Sequence, residues 1–130
     1  MKVSIFIPTY NATGCIGDTL QSVLAQTYKD IEVWVVDDCS PDNTVEYLKE
    51  WQQRDERVHV LAKEKNEGFV PYSWVRVFPL LKGEFTLYMS HDDYLSPDCI
   101  ELLVKKQQET GADCIIPDCV FTYDDGSKQS

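Results

Sequence analysis

The stretch that decides the fold is Ile31-Glu32-Val33-Trp34-Val35-Val36-Asp37-Asp38-Cys39-Ser40-Pro41-Asp42. Its first six residues are mostly β-branched or aromatic and apolar enough for a strand buried on both faces. Two carboxylates follow directly. Ser40-Pro41 then opens a helix, the serine as N-cap and the proline at the first helical position. The same order recurs downstream: Glu84-Phe85-Thr86-Leu87-Tyr88-Met89 reads as a strand, Asp92-Asp93 follows, and Ser96-Pro97 opens another helix. In an open α/β sheet, ligands collect at the carboxyl ends of the strands. Two carboxylate pairs brought to that edge repel each other unless a cation or a hydrogen-bonding ligand stands between them. The pattern points to a metal-assisted phosphate-ester site.

Outward from this stretch, strand-like and helix-like segments alternate regularly, which predicts a doubly wound, three-layer α/β/α Rossmann-like domain with a mostly parallel central sheet. Strands are expected over Lys2–Ile7, Ile31–Val36, Val58–Ala62, Glu84–Met89, Asp113–Pro117 and Cys119–Tyr123. Helices are expected over Gly14–Gln26, from Ser40-Pro41-Asp42 onward, over Tyr72–Leu81, and after Ser96-Pro97. In the first helix Ile16, Leu20, Val23 and Leu24 fall on one face. In the second, Val45, Leu48 and Trp51 make the inner stripe. Asp124-Asp125-Gly126 reads as a hairpin turn. Only Ser127–Ser130 follow it, so the sequence reads as a single domain over residues 1–130 that breaks off at its C-terminal side.

Composition narrows the function. Twelve Lys and Arg face 22 Asp and Glu, a net charge of −10. That argues against a nucleic-acid backbone or an anionic membrane surface as partner, since both need a basic footprint. A phosphorylated ligand is compatible only if a cation offsets the acids. No apolar run approaches the ~20 residues needed to span a bilayer. Met1-Lys2 leads into a short apolar run halted by Pro8, a strand rather than a secretory signal. The five cysteines (Cys15, Cys39, Cys99, Cys114 and Cys119) form no C-x-x-C pair. They read as reduced thiols of a cytoplasmic protein, and Cys39, beside the acid of Asp38, is not read as a nucleophile.

Three strand ends carry the chemistry: Pro8-Thr9-Tyr10-Asn11, Asp37-Asp38 and Asp92-Asp93. If the first and fourth strands adjoin, with the second on the first strand's far side, all three loops surround one crevice at the switch point. A tyrosine ring can stack on a base, a carboxylate can accept from an imide N–H or ribose hydroxyl, and a carboxylate pair can hold Mg²⁺ or Mn²⁺ together with substrate phosphates. The chain has no G-x-G-x-x-G opening a helix and no G-x-x-x-x-G-K-[ST] cradle. A metal is therefore the expected charge neutraliser. Asp92-Asp93 alone could equally be a solvated lead into a helix; the second pair at the same edge tips the balance.

These residues also carry a resemblance. V-S-I-F-I-P-T-Y-N, S-V-L-A-Q-T-Y and E-V-W-V-V-D-D-C-S-P-D-N-T resemble the family 2 glycosyltransferases of the GT-A fold. N-E-G at Asn66–Gly68, K-G-E-F-T-L-Y-M-S-H-D-D and G-A-D-C-I-I-P-D-C-V-F-T-Y-D-D-G follow in the same order. The resemblance implies nucleotide-sugar contacts at Thr9, Tyr10, Asp38 and Asp92, with Pro8, Asn11 and Asp37 shaping the pocket; Asn66 and Gly68 are either nucleotide-sugar-binding residues of the pocket or only a loop turn. It implies a divalent Mn²⁺ or Mg²⁺ on Asp92 and Asp93, and a UDP-sugar as the foremost donor. It further implies inverting transfer to a glycan or lipid-linked acceptor, at the cytoplasmic side, where the inner membrane face is open to a full-length protein. The catalytic base of such enzymes is expected beyond Ser130; Asp118, Asp124 and Asp125 are not assigned to it.

Two positions depart from the family pattern. Ser90 stands where many relatives have the first acid of D-x-D-D, and Ser73-Trp74 where Arg-Asn is expected. His91 is either an extra metal ligand or a hydrogen-bond partner of the acids, and Arg76 either replaces the missing arginine or makes a surface salt bridge. A non-catalytic nucleotide-sugar-binding module of the same fold is the alternative reading. A receiver-type Mg²⁺ domain ranks last, because the first strand's loop has no carboxylate.

Overall fold

The computed structural model describes residues 1–122 and 128–129. Four parallel strands, β1 (Val3–Thr9), β2 (Ile31–Asp37), β3 (Val58–Ala62) and β4 (Phe85–Tyr88), form a sheet in the order β3-β2-β1-β4. The chain therefore reverses direction across the sheet between β1 and β4, as the three-loop argument required. Helices α1 (Ile16–Leu24), α2 (Thr44–Arg54), α3 (Val70–Val77) and α4 (Cys99–Thr110) connect and cover the strands. The expected three-layer α/β/α architecture is observed.

The two faces of the sheet follow from strand parity. Ile5 and Ile7 of β1 and Val33 and Val35 of β2 pack with Ile16, Leu20 and Val23 of α1, Leu48 of α2, and Ile100 and Val104 of α4. On the other face Phe6 and Val36 pack with Val77 of α3, flanked by Trp34, Trp74 and Leu81. The Phe6 ring lies 4.4 Å from Trp74 and 5.8 Å from Tyr88, centroid to centroid.

β1 runs past the expected Ile7 through Pro8 to Thr9, although proline cannot donate to a ladder. The geometry explains this. Val3 donates to Asp30 and Thr9 accepts from Asp38 on the β2 side, whereas Phe6 accepts from Met89 on the β4 side. Pro8 has the parity of Phe6, so its nitrogen faces the β4 side, where pairing ends at Tyr88.

Several boundaries differ from expectation because polar groups found tertiary partners. Helix α2 begins at Thr44 with Asn43 at the cap, not at Ser40-Pro41. Ser40 instead gives its N–H and hydroxyl to Asp37, and Asp42 accepts from the Thr44 N–H. Helix α4 begins at Cys99 with Asp98 at the cap, and the Ser96 carbonyl ahead of it receives the Gln26 amide as well as the Cys99 N–H. Proline near the start of α3 is tolerated, while Pro79 ends the α-helix in a 3-10 turn over Phe78–Leu80. The strand expected over Asp113–Pro117 does not form: Ile115 lies beside Phe85–Leu87 and α4, and Ile116 is 87% exposed. Pro117, which lacks an N–H, weakens any ladder there. Phe121–Thr122 (β5) pairs with Lys128–Gln129 (β6) in a separate antiparallel ribbon, and the Asp124-Asp125-Gly126 turn lies outside the described residues.

Two buried polar residues fix the layers. Gln26 is fully buried just past α1. Its amide donates to the carbonyls of Ser22 (3.1 Å) and Ser96 (2.6 Å), and its oxygen accepts the Ile100 N–H (3.0 Å). It thereby pins the β4–α4 loop and the start of α4 onto α1. Glu32 is buried at the opposite end of the sheet. It accepts from Ser4 Oγ (2.6 Å), Trp34 Nε1 (3.2 Å) and the Lys82 N–H. Gly83 donates to the same Ser4 hydroxyl, and a Cβ on it would stand 2.5 Å from Ser4 N.

Burial works against the Glu32 charge, but the Ser4, Lys82 and Trp34 donors outweigh it and hold its pKa below the ordinary value. A carboxylate with a depressed folded pKa contributes stability that is present above its unfolded pKa, about 4.3, and lost as pH falls through the folded value. Urea unfolding of Glu32→Gln should therefore show its largest deficit against wild type near neutrality, with the gap closing below about pH 4. Gln26→Ala leaves the buried Ile100 N–H without a partner, and the Ser96 carbonyl with the Cys99 N–H alone, and should cost about 1–3 kcal/mol in the same assay.

Candidate functional site

The carboxyl ends of β1, β2 and β4 open on one cleft of about 480 Å³, on the α3 side of the sheet. Pro8, Thr9, Tyr10, Asp38, Asn66, Gly68, Ser90, His91 and Asp92 line it, joined by Phe69, Val70, Ser73 and Tyr88. Asn11, Asp37 and Asp93, named from sequence with these residues, are not on its wall.

Asp37 and Asp38 have opposite roles because successive strand residues face opposite sides. Asp37 is fully buried and accepts from Thr9 Oγ1 (2.9 Å), the Ser40 N–H (2.8 Å) and Ser40 Oγ (2.6 Å). The Ser40 hydroxyl also accepts the Asn11 N–H (3.0 Å), and Thr44 Oγ1 accepts the Ala12 N–H (3.1 Å). The two loops are thus latched together behind the cleft. Asn11 and Cys39 take positive φ angles of 51° and 58° in these tight returns; asparagine tolerates that region far better than most residues.

Asp38 faces the cleft. Its Oδ1 accepts the Glu67 N–H and its Oδ2 the Gly68 N–H, both at 2.9 Å. The Lys63 ammonium stands 2.9 Å from Oδ1. Burial opposes the Asp38 charge, yet the Glu67 N–H, Lys63 and the Gly68 N–H outweigh it and hold its pKa below the ordinary carboxylate value. Gly68 presents its N–H from φ +66°, a left-handed conformation that glycine adopts without strain. Asn66 and Gly68 are both part of the cleft wall.

The β4–α4 loop is built from its own carboxylate. Asp93 Oδ2 accepts the Ser90 N–H (3.2 Å), and the His91 carbonyl accepts from buried Thr19 of α1 (2.8 Å). Asp92 is left exposed on the cleft wall beside His91. Cys15 lies nearby: burial, then the charges of Asp92 and Asp18, push its thiol pKa up, so it stays protonated. Arg76 does not reach the cleft. Its Nε donates to Glu67 at 2.8 Å, the salt-bridge role weighed above. Ser73 lines the cleft but offers only a short hydroxyl.

Among the described residues no cluster of three or more His, Cys, Asp or Glu stands assembled for a metal. That donor set suits Mg²⁺ or Mn²⁺ only when substrate phosphates complete the coordination. Lys63 is the residue that sequence reasoning missed. Its signal was a cation placed immediately after an apolar strand whose neighbour ends in two acids. Among the described residues no helix is long and apolar enough to cross a membrane.

The family model described as Glycosyl transferase family 2 matches residues 4–130. The chain is 35% identical over 121 residues to the putative teichuronic acid biosynthesis glycosyltransferase TuaG of Bacillus subtilis (strain 168), covering 93% of this chain and 45% of that protein. It is 32% identical over 123 residues to glycosyltransferase GlyG of Streptococcus pneumoniae serotype 4, covering 95% and 40% respectively. Among solved structures, S. aureus TarS 1-349 in complex with UDP-GlcNAc superposes with a TM-score of 0.80 at 30% identity, covering 87% of this chain and 33% of that one. The mannosyltransferase PcManGT of Pyrobaculum calidifontis, in complex with GDP-Man and Mn²⁺, shares the fold at a TM-score of 0.74 and 23% identity. The chain spans less than half the length of the curated relatives it matches here. With the family model matched across nearly all of its residues, this GT-A domain belongs to glycosyl transferase family 2.

Proposed function

We propose that the chain is the donor-binding portion of an inverting glycosyltransferase that holds a nucleotide-diphosphate sugar, foremost a UDP-sugar, in the cleft. The convergence of the β1, β2 and β4 loops on that one cleft carries the reading. Tyr10, 42% exposed at the rim, stacks on the nucleobase. Asp38 accepts from the base or ribose, and Pro8, Thr9, Asn66 and Gly68 shape the space around it. Asn11 and Asp37 act from behind, by holding the β1 loop against the β2 loop.

Asp92 on the cleft wall would hold Mn²⁺ or Mg²⁺, with Asp93 supporting it from the loop turn. Asp93 commits Oδ2 to the Ser90 N–H and keeps its other oxygen for the ion. When bound, such a cation neutralises the diphosphate and stabilises it as a leaving group. The reaction is a direct displacement at the anomeric carbon by a hydroxyl of a glycan or lipid-linked acceptor, with a base taking the hydroxyl proton. No residue of this chain is assigned as that base: Asp38 is committed to Lys63 and two backbone N–H groups, and Asp92 to the metal. A cytoplasmic setting at the inner membrane face fits a lipid-linked acceptor. Ser90 in place of a third acid favours, as a second reading, a nucleotide-sugar-binding module without transfer activity.

Calorimetry with UDP decides the first point. Binding should be at least about tenfold tighter with Mn²⁺ than with a chelator, about 1.4 kcal/mol, and Asp92→Ala should remove that gain while leaving metal-free binding intact. Equal binding with and without Mn²⁺ ends the metal assignment. Tyr10→Ala should weaken UDP by about 1–3 kcal/mol, the usual worth of a base on an aromatic ring, with or without metal. A UDP-sugar that binds without hydrolysis or transfer under all conditions would favour the non-catalytic reading.

A further inference from the structure

Behind the cleft lies a line of alternating charges that the donor reading alone does not use. Lys63 follows β3 directly, and its backbone N–H extends the ladder by donating to the Asp37 carbonyl (2.9 Å). Its side chain is only 2% exposed, yet it ends in an ammonium. That ammonium is 2.9 Å from Asp38 Oδ1 and 3.3 Å from Glu67 Oε1. At these distances the ammonium pairs with both carboxylates at once. Glu67 in turn receives the Arg76 guanidinium of α3, which is half exposed. The order is Asp38, Lys63, Glu67, Arg76: acid, base, acid, base.

Burying an ammonium is costly unless it is paired. Here one cation stands between two carboxylates that would otherwise face each other in a poorly solvated corner. We propose that Lys63 is a positioning residue for the donor site: by separating Asp38 from Glu67 it keeps the Asp38 carboxylate charged and aimed at the nucleotide. The inference rests on the reading of Asp38 as a nucleotide contact. Its physical basis is that two close carboxylates cannot both stay ionised at ordinary cost, so removing the cation forces one to take up a proton. The Glu67 and Gly68 N–H groups would still hold Asp38 in place, but the charge would be shared with Glu67.

The other groups around Asp38 do not replace Lys63. Asp37, the preceding residue, is occupied by Thr9 and Ser40 and adds negative charge. Glu64 and Lys65 of the β3–α3 loop are exposed, and Arg76 is spent on Glu67. Across the cleft, His91 and Asp92 stand on the opposite wall. These last groups are common to wild type and variant, so the ratio of the two affinities isolates the Lys63 effect.

The experiment is UDP binding with Mn²⁺ by calorimetry from pH 4 to 8, for wild type, Lys63→Met and Lys63→Met/Glu67→Gln. Relative to wild type, Lys63→Met should weaken UDP about threefold at pH 8, and the ratio should widen toward the acid end of the range as Asp38 and Glu67 come to share a proton, with about tenfold as the limit for each unit of rise in the Asp38 pKa. The double variant, with the second carboxylate neutralised, should recover a flat ratio. In parallel, the ¹³C-carboxyl shift of Asp38, followed without nucleotide or metal, should titrate at higher pH in Lys63→Met. If Lys63→Met does not fold, Lys63→Gln, a neutral side chain that still donates hydrogen bonds, takes its place with the same readouts. A pH-independent affinity ratio, or an unmoved Asp38 titration, overturns the inference. Failure of wild type to bind UDP at all overturns the donor-site reading instead, and the Asp38 titration then still decides the role of Lys63.

Discussion

The site depends on a buried carboxylate that never touches the cleft. Asp37 ends β2 with its side chain turned into the core, where Thr9 from β1 and the Ser40 N–H and hydroxyl from its own loop saturate it. A carboxylate in such a place is tolerable only when its lone pairs are met. Meeting them draws two loops into one wall. Every donor on Asp37 comes from a residue flanking the cleft, so the interaction that solvates the charge also sets the spacing between Tyr10 and Asp38.

The far wall is fixed by different means to the same end. Asp93 closes its own turn on Ser90, Thr19 of α1 holds the His91 carbonyl, and Gln26 ties the following residues to α1 and α4. Helix α1 is thus the common support of both walls, since its first turn follows the β1 loop and its last turn leads to Gln26. Cleft-facing groups such as Asp92 and Tyr10 remain exposed, while their supports are buried. That division lets a site present unsatisfied polar groups without destabilising the fold, because the supporting hydrogen bonds are made in the folded state regardless of ligand.

Much of this was legible in the chain. The alternation of apolar runs with amphipathic stretches gave the four parallel strands and their helices, because a buried strand and a one-faced helix have different periods. Of the strand-end loops named as one crevice, Pro8–Asn11, Asp37-Asp38 and Asp92-Asp93, each sends residues to one cleft, through Pro8–Tyr10, Asp38 and Asp92, while Asn11, Asp37 and Asp93 are not on its wall. Helix starts were less legible. Ser40 is a good cap by type, but its hydroxyl is spent on Asp37 and on the Asn11 N–H, and Ser96 lies two residues before Asp98, which takes the cap position of α4. The strand expected at Asp113–Pro117 failed for a related reason: β propensity describes how a segment suits a pleated surface, not whether a partner edge accepts it.

What the sequence determined by itself was periodicity and order: which segments are strands, which carry an acid at their ends, and that the acids come in pairs. Pairing hid a distinction that only the fold made. Adjacent strand residues point to opposite faces, so Asp37 became a buried staple and Asp38 a cleft residue, while the turn after β4 set Asp93 against its own backbone and left Asp92 open. Lys63 and Glu67 lie 25 and 29 residues from Asp38 along the chain, as positions 63 and 67 against 38. No local pattern links them. Their meeting at one buried ammonium arises from β3 packing beside β2, a long-range contact whose electrostatic consequence exists only once the chain has closed around it.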